Sequence, residues 1–143
     1  LFVFFILINL GFMFYVKVIK GNIELEREEL SQLKSIGIAQ RVMFLPEVQC
    51  SEDNIVIDSC IDILKLDSAQ ALMRENEVYY YDLLEFSDIS IVQIYPSGAK
   101  WGIYSRKTAE FKSKFTTNVP ISIYDPASRR HGFGILTIET LIK

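Results

Sequence analysis

Apolar positions fall into three regimes along the chain. Residues 1–16, Leu-Phe-Val-Phe-Phe-Ile-Leu-Ile-Asn-Leu-Gly-Phe-Met-Phe-Tyr-Val, are apolar at almost every step and carry no charge. Such a run predicts a membrane-type helix, although it stops at Lys17, short of the roughly 20 residues of a full span. Val18 and Ile19 extend it if Lys17 snorkels its ammonium outward. Past Gly21-Asn22 the pattern becomes amphipathic: Ile23, Leu30, Leu33, Ile36 or Gly37, and Met43 recur at helical spacing, while Glu24, Glu26, Arg27, Glu28, Glu29 and Lys34 fill the other face. Asn22 can cap this second segment, and Pro46 ends it. Residues 1–45 are expected to form one long rod of roughly 65 Å, with a kink or melted turn at Gly21-Asn22.

From Pro46 the pattern shifts to strands. Gln49 to Asn54 reads as a polar turn and Ile55-Val-Ile57 as a short strand. Asp67 is expected to cap a short helix reaching Glu75. Val78-Tyr-Tyr-Tyr81, Ile89–Tyr95, Trp101–Tyr104, Val119–Tyr124 and Phe133–Ile142 carry the β-branched and aromatic residues of strands, with Pro120 marking an edge. Leu136, Ile138 and Ile142 fall on one face of the last strand, and Asp125-Pro126-Ala-Ser is a turn. The fold class is therefore α+β: a long N-terminal hydrophobic helix, then a small antiparallel β-rich head over 46–143.

Composition narrows the function. Half of the 143 residues are hydrophobic, enough for a core, and the net charge of −3 makes the chain a poor candidate for nucleic acid, where neutralised phosphates supply much of the affinity. The two cysteines, Cys50 and Cys60, lack Cys-x-x-Cys spacing, and with His131 as the sole histidine a tetrahedral zinc site is not expected. One disulfide in an oxidising compartment is the favoured reading, and two buried free thiols the alternative. Lys17 and Lys20 after the apolar run would by themselves place the following residues in the cytoplasm; the cysteines argue for the opposite side and are given the greater weight.

No candidate chemistry rises above its plainer explanation. His131, beside Arg129 and Arg130, reads as a basic hairpin tip, and Lys107, Lys112 and Lys114 as a charged loop. Ser51-Glu-Asp-Asn54 with Asp58 and Asp62 lacks the spacing and glycine of an EF-hand. No catalytic residue, cofactor, metal or small-molecule substrate is expected, and the head is read as non-catalytic.

The apolar helix from Leu1 with no basic leader before it, its amphipathic continuation to Phe44, the β-rich head, Asn118-Val-Pro-Ile-Ser-Ile-Tyr-Asp-Pro126 and Phe133-Gly-Ile-Leu-Thr-Ile138 together resemble type IV pilin-like subunits of archaea, which are processed at class III signal peptides on the N-terminal side of the apolar run. Bacterial major pilins carry a glutamate as the fifth mature residue, where this chain has Phe5, so the likeness is to the archaeal kind. The resemblance implies a subunit held in the membrane before assembly, with copies of itself as partners in a helical polymer outside the cell. Phe2, Phe4, Phe5, Ile8, Leu10, Phe12 and Phe14 would form the filament core. The alternative is a solitary single-pass anchor whose head binds a surface ligand, with Tyr79, Tyr80, Tyr81 and Trp101 as contact candidates.

Overall fold

The computed structural model describes residues 2–53, 55–108, 110–111 and 113–142. One helix, α1, runs unbroken over Phe2–Met43. The kink expected at Gly21-Asn22 is absent. A lone glycine costs a helix about 1 kcal/mol without breaking it, and nothing in the protein packs near Gly21 to impose a bend. The helix ends as Leu45 N–H turns back to Val42 O at 3.2 Å, a tighter closure that precedes Pro46.

Eight further elements follow: β1 (Gln49–Glu52), β2 (Ile55–Asp62), α2 (Ile63–Glu75), α3 (Glu77–Leu84), β3 (Ser87–Tyr95), β4 (Lys100–Ser105), β5 (Ser113–Asp125) and β6 (Arg130–Ile142). The strands form one six-stranded sheet in the order β1-β2-β5-β6-β3-β4. Its pairings are antiparallel apart from β2 with β5, which run parallel over Cys60–Asp62 and Ser122–Tyr124. Because β2 flanks β5 only there, Pro120 lies where that side of β5 is open, which accommodates its missing N–H.

Two local readings are corrected. The helix expected from Asp67 begins earlier, at Ile63, where Asp62 Oδ1 accepts from Leu64 N–H at 2.9 Å. Leu66, Ala69 and Met73, at helical spacing, turn that helix into the core. Val78–Tyr81 is helix α3 rather than strand, because Tyr80 and Leu84, four residues apart, both reach the core from one helical face; tertiary burial overrides β propensity.

The core also redraws the boundary between rod and head. Ile38, Ala39 and Val42 of α1 belong to the same apolar cluster as Leu66 and Met73 of α2, Tyr80 and Leu84 of α3, and Ile89, Ile91, Leu136 and Ile138 of the sheet. The head therefore includes the last three turns of α1. Arg41 Nη1 donates to Leu83 O at 2.8 Å, Lys34 pairs with Glu85, and the hydroxyls of Ser35 and Thr117 share a hydrogen bond.

Close backbone approach fixes Gly134. A Cβ there would collide with Ile123 Cδ1 and stand 2.8 Å from Val92 O. Gly134→Ala is expected to cost about 1–3 kcal/mol, read as a lower denaturant midpoint.

Cys50 and Cys60 are bonded to each other. The β1–β2 register jumps from Gln49↔Ile61 to Cys50↔Ile57, so Asp58-Ser59-Cys60 bulges, with Ser59 at φ 55°. The disulfide ties this bulge to β1. On the chain-entropy model such a short loop contributes roughly 2.5–3 kcal/mol. Cys50→Ala/Cys60→Ala should melt on the order of 10 °C lower in calorimetry.

Tyr80 donates its hydroxyl proton to Glu47 Oε1 at 2.8 Å. Burial, and then the neighbouring Glu47 carboxylate, push the phenol up to about 12. A phenol harder to ionise in the folded chain stabilises fully below its ordinary value near 10. That contribution is lost as pH rises from about 10 through 12. Urea unfolding across this window should show stability falling with pH, and falling less steeply in Tyr80→Phe.

Candidate functional site

The feature that stands out chemically is the bare part of α1. Every side chain from Phe2 to Leu30 is exposed except the half-buried Val16, and burial against the head begins only at Ser31. That is 29 residues of unpacked helix, about 43 Å at 1.5 Å per residue. The six aromatic residues Phe2, Phe4, Phe5, Phe12, Phe14 and Tyr15 are each at least 60% exposed. Contiguous apolar surface on this scale is not stable in water and marks a place where lipid or another protein belongs.

The candidate residues Phe2, Phe4, Phe5, Ile8, Leu10, Phe12 and Phe14 all lie on this bare helix and encircle it. A shallow concave face is formed by Phe2, Phe5, Ile6, Asn9, Leu10 and Met13, at helical spacing. Asn9, the polar residue of the run, partly satisfies itself: its Nδ2 donates to Phe5 O at 2.9 Å, one turn back. That bond lowers the cost of carrying an amide into an apolar setting. By length and composition α1 can cross a membrane.

The comparisons give no family. No family model, curated protein or solved structure matches this chain. The site must be read from its own residues.

The other candidates are scattered. Tyr80 is buried in the core, Tyr79 is exposed, and Trp101 packs partly against the core. Tyr81 carries the Arg106 guanidinium 4.6 Å above its ring. These aromatics therefore do not share one exposed face. A cleft of about 330 Å³ between α2 and β4 is lined by Met73, Arg74, Glu77, Ile103, Tyr104 and Arg106 among others. Arg106 pairs with Glu77 at 2.9 Å. Tyr104 donates to Glu85 O at 3.1 Å, and burial raises its pKa.

His131 is the second residue of β6, its ring tilted and 4.8 Å from that of Tyr124. Lys107 pairs with Asp88 at 3.1 Å and Lys114 with Glu139 at 2.7 Å, at separate places; Lys112 lies outside the described residues. Asp62 is committed to capping α2, and Asn54 also lies outside the described residues. Among the described residues no three His, Cys, Asp or Glu side chains gather as a metal site would require. The apolar run is legible in the sequence, but the stripe expected after it is not the buried one: Ile23, Leu30, Leu33 and Ile36 are exposed, and Ser31, Ser35, Ile38, Ala39 and Val42 face the head, so the bare helix extends well past the run. The signal was the charged stretch 17–29, in which apolar residues are too sparse to bind a core stripe.

Proposed function

We propose that this chain is the structural subunit of an extracellular, type IV pilus-like filament of the archaeal kind, assembled through α1. The observation that carries the reading is the 29-residue bare helix, apolar for its first half and rigidly joined to the head through its last three turns. A solitary anchor needs an apolar span, but it does not need a further stretch of stiff helix, from Lys17 to Leu30, that touches nothing of its own head. In a filament those rods lie side by side below the heads. The apolar runs, which occupy lipid before assembly, then exchange lipid for one another. The disulfide fits an oxidising, extracellular setting for the head. In this reading the head is non-catalytic, and its partners are copies of itself.

Electron microscopy of material shed from the surface of producing cells, labelled with antibody to the head, tests this. Labelled filaments are expected. Label confined to membrane fragments, with no filaments under any growth condition that expresses the chain, would favour the anchored binding module, for which the cleft beside Arg106 is the natural contact.

A further inference from the structure

We propose that neighbouring copies also join through their heads, edge to edge: the acidic β1–β2 ribbon of one copy docks on the basic β4 edge of the next. This inference rests on the filament reading above and adds to it a contact outside α1.

Charge is divided between the two edges of the sheet. From Cys50 to Leu64 the chain carries Glu52, Asp53, Asp58 and Asp62 and no basic residue. Asp62 is committed to capping α2. From Gln93 to Ala109 it carries Lys100, Arg106 and Lys107 and no acidic residue. The fold takes these segments to opposite edges of the sheet, β1 and β2 at one and β4 at the other. Arg106 and Lys107 pair with Glu77 and Asp88 of their own chain. Lys100, Glu52, Asp53 and Asp58 are exposed and form no ion pair among the described residues.

The ribbon projects from its own head. β2 pairs with β5 only from Cys60 onward, so the residues before it pair with β1 alone. Ile55 and Val56, adjacent on one strand, point to opposite faces of the ribbon, and both are exposed. Neither face is therefore covered by the head. A two-stranded ribbon is marginal in water by itself, and the Cys50–Cys60 bond fixes its base. The result is a braced arm with carboxylates near its end and an apolar side chain on each face.

The β4 edge supplies the complement. β4 ends the sheet, so its outer backbone groups meet no further strand. Lys100 opens that strand, and the exposed Ile94 and Tyr95 stand at the end of β3, just before the turn that leads to it. An ammonium and two apolar side chains thus face outward where the arm of a neighbour brings carboxylates, Ile55 and Val56.

Charge also decides which edges meet. A two-fold pair meeting edge to edge sets ribbon against ribbon or β4 against β4, like charge against like. Ribbon against β4 brings unlike charges together. Joining two different edges leaves one of each kind free on every copy, so the contact propagates. The helices do not stand in its way. α1, α2 and α3 share one apolar cluster with one face of the sheet. A copy added at the edge in the same orientation keeps its bare helix parallel to its neighbour's and on the same side.

Two measurements on the full chain test this. Zero-length carbodiimide coupling of wild-type filaments, read by peptide mass analysis, is expected to join Lys100 to Glu52, Asp53 or Asp58. Within one chain three strands separate β2 from β4, which puts them about 19 Å apart at the usual strand spacing. Such links therefore join two copies. Filaments in which Lys100 couples only to other carboxylates, or to none, overturn the head contact and leave assembly through α1 standing. If the wild-type chain forms no filaments, both proposals fall. The second measurement compares filament yields. Lys100→Glu alone, or Glu52→Lys/Asp53→Lys alone, opposes like charges and should lower the yield about tenfold at low salt. Combined in one chain, the three changes oppose unlike charges again and should restore most of the yield. Wild-type yield from either variant alone, or no recovery in the combined chain, contradicts the proposal.

Discussion

A chain beginning at Pro46 is expected not to fold, whereas one beginning at Gly21 gives a soluble head that melts cooperatively. Starting at Pro46 removes Ile38, Ala39 and Val42 from the cluster that holds α2, α3 and the sheet together. It also removes the Arg41 bond to Leu83 O and the Lys34–Glu85 pair. Emptying one buried isoleucine costs about 2–5 kcal/mol, and losing a whole helical wall exceeds the 5–15 kcal/mol by which ordinary domains are stable. Starting at Gly21 keeps that wall and discards the most apolar surface. Circular dichroism melting and light scattering distinguish the two chains. Ile38→Ala in the longer one gives a graded check, with an expected loss of about 2–5 kcal/mol. Cooperative folding from Pro46 would mean that α1 only leans on the head.

These residues also mark where the sequence was legible and where it was not. The uniform apolarity of 1–16 and the absence of any proline before Pro46 made α1 readable as one rod. Its inner boundary was not readable, because Ser31 and Ser35 are small polar residues that enter the interface by bonding Arg27 O and Thr117 rather than by being apolar. Strands β3 and β6 followed from alternation, and the start of β5 did not, since Ser113 to Asn118 is largely polar. The parallel pairing of β2 with β5 joins segments some 60 residues apart and leaves no local trace. Tyr79-Tyr-Tyr81 misled because aromatic β propensity is a statement about half-buried surfaces, and α3 offers Tyr80 a buried one. For the N-terminal part of α1 the composition is legible in the sequence, while the extent of bare helix is seen only in the structure.

The second large effect is expected from charge in the apolar run. Phe12→Asp places a carboxylate where a filament would be dry, and Lys17 lies more than one turn away on another face of the helix. An unpaired buried carboxylate costs several kcal/mol, repeated at every subunit, so assembly should be abolished. The head stands apart from Phe12 and should keep its melting temperature. Insertion into the membrane is also weakened, by about 3 kcal/mol at a helix centre, and has to be measured separately by membrane fractionation.

The most direct measurement is therefore a filament count by electron microscopy for Phe12→Asp, taken beside wild type under conditions where both chains fractionate equally with the membrane. Wild-type filaments and none from the variant are the expected result. Filaments of wild-type length and number from an inserted Phe12→Asp chain would contradict assembly through α1.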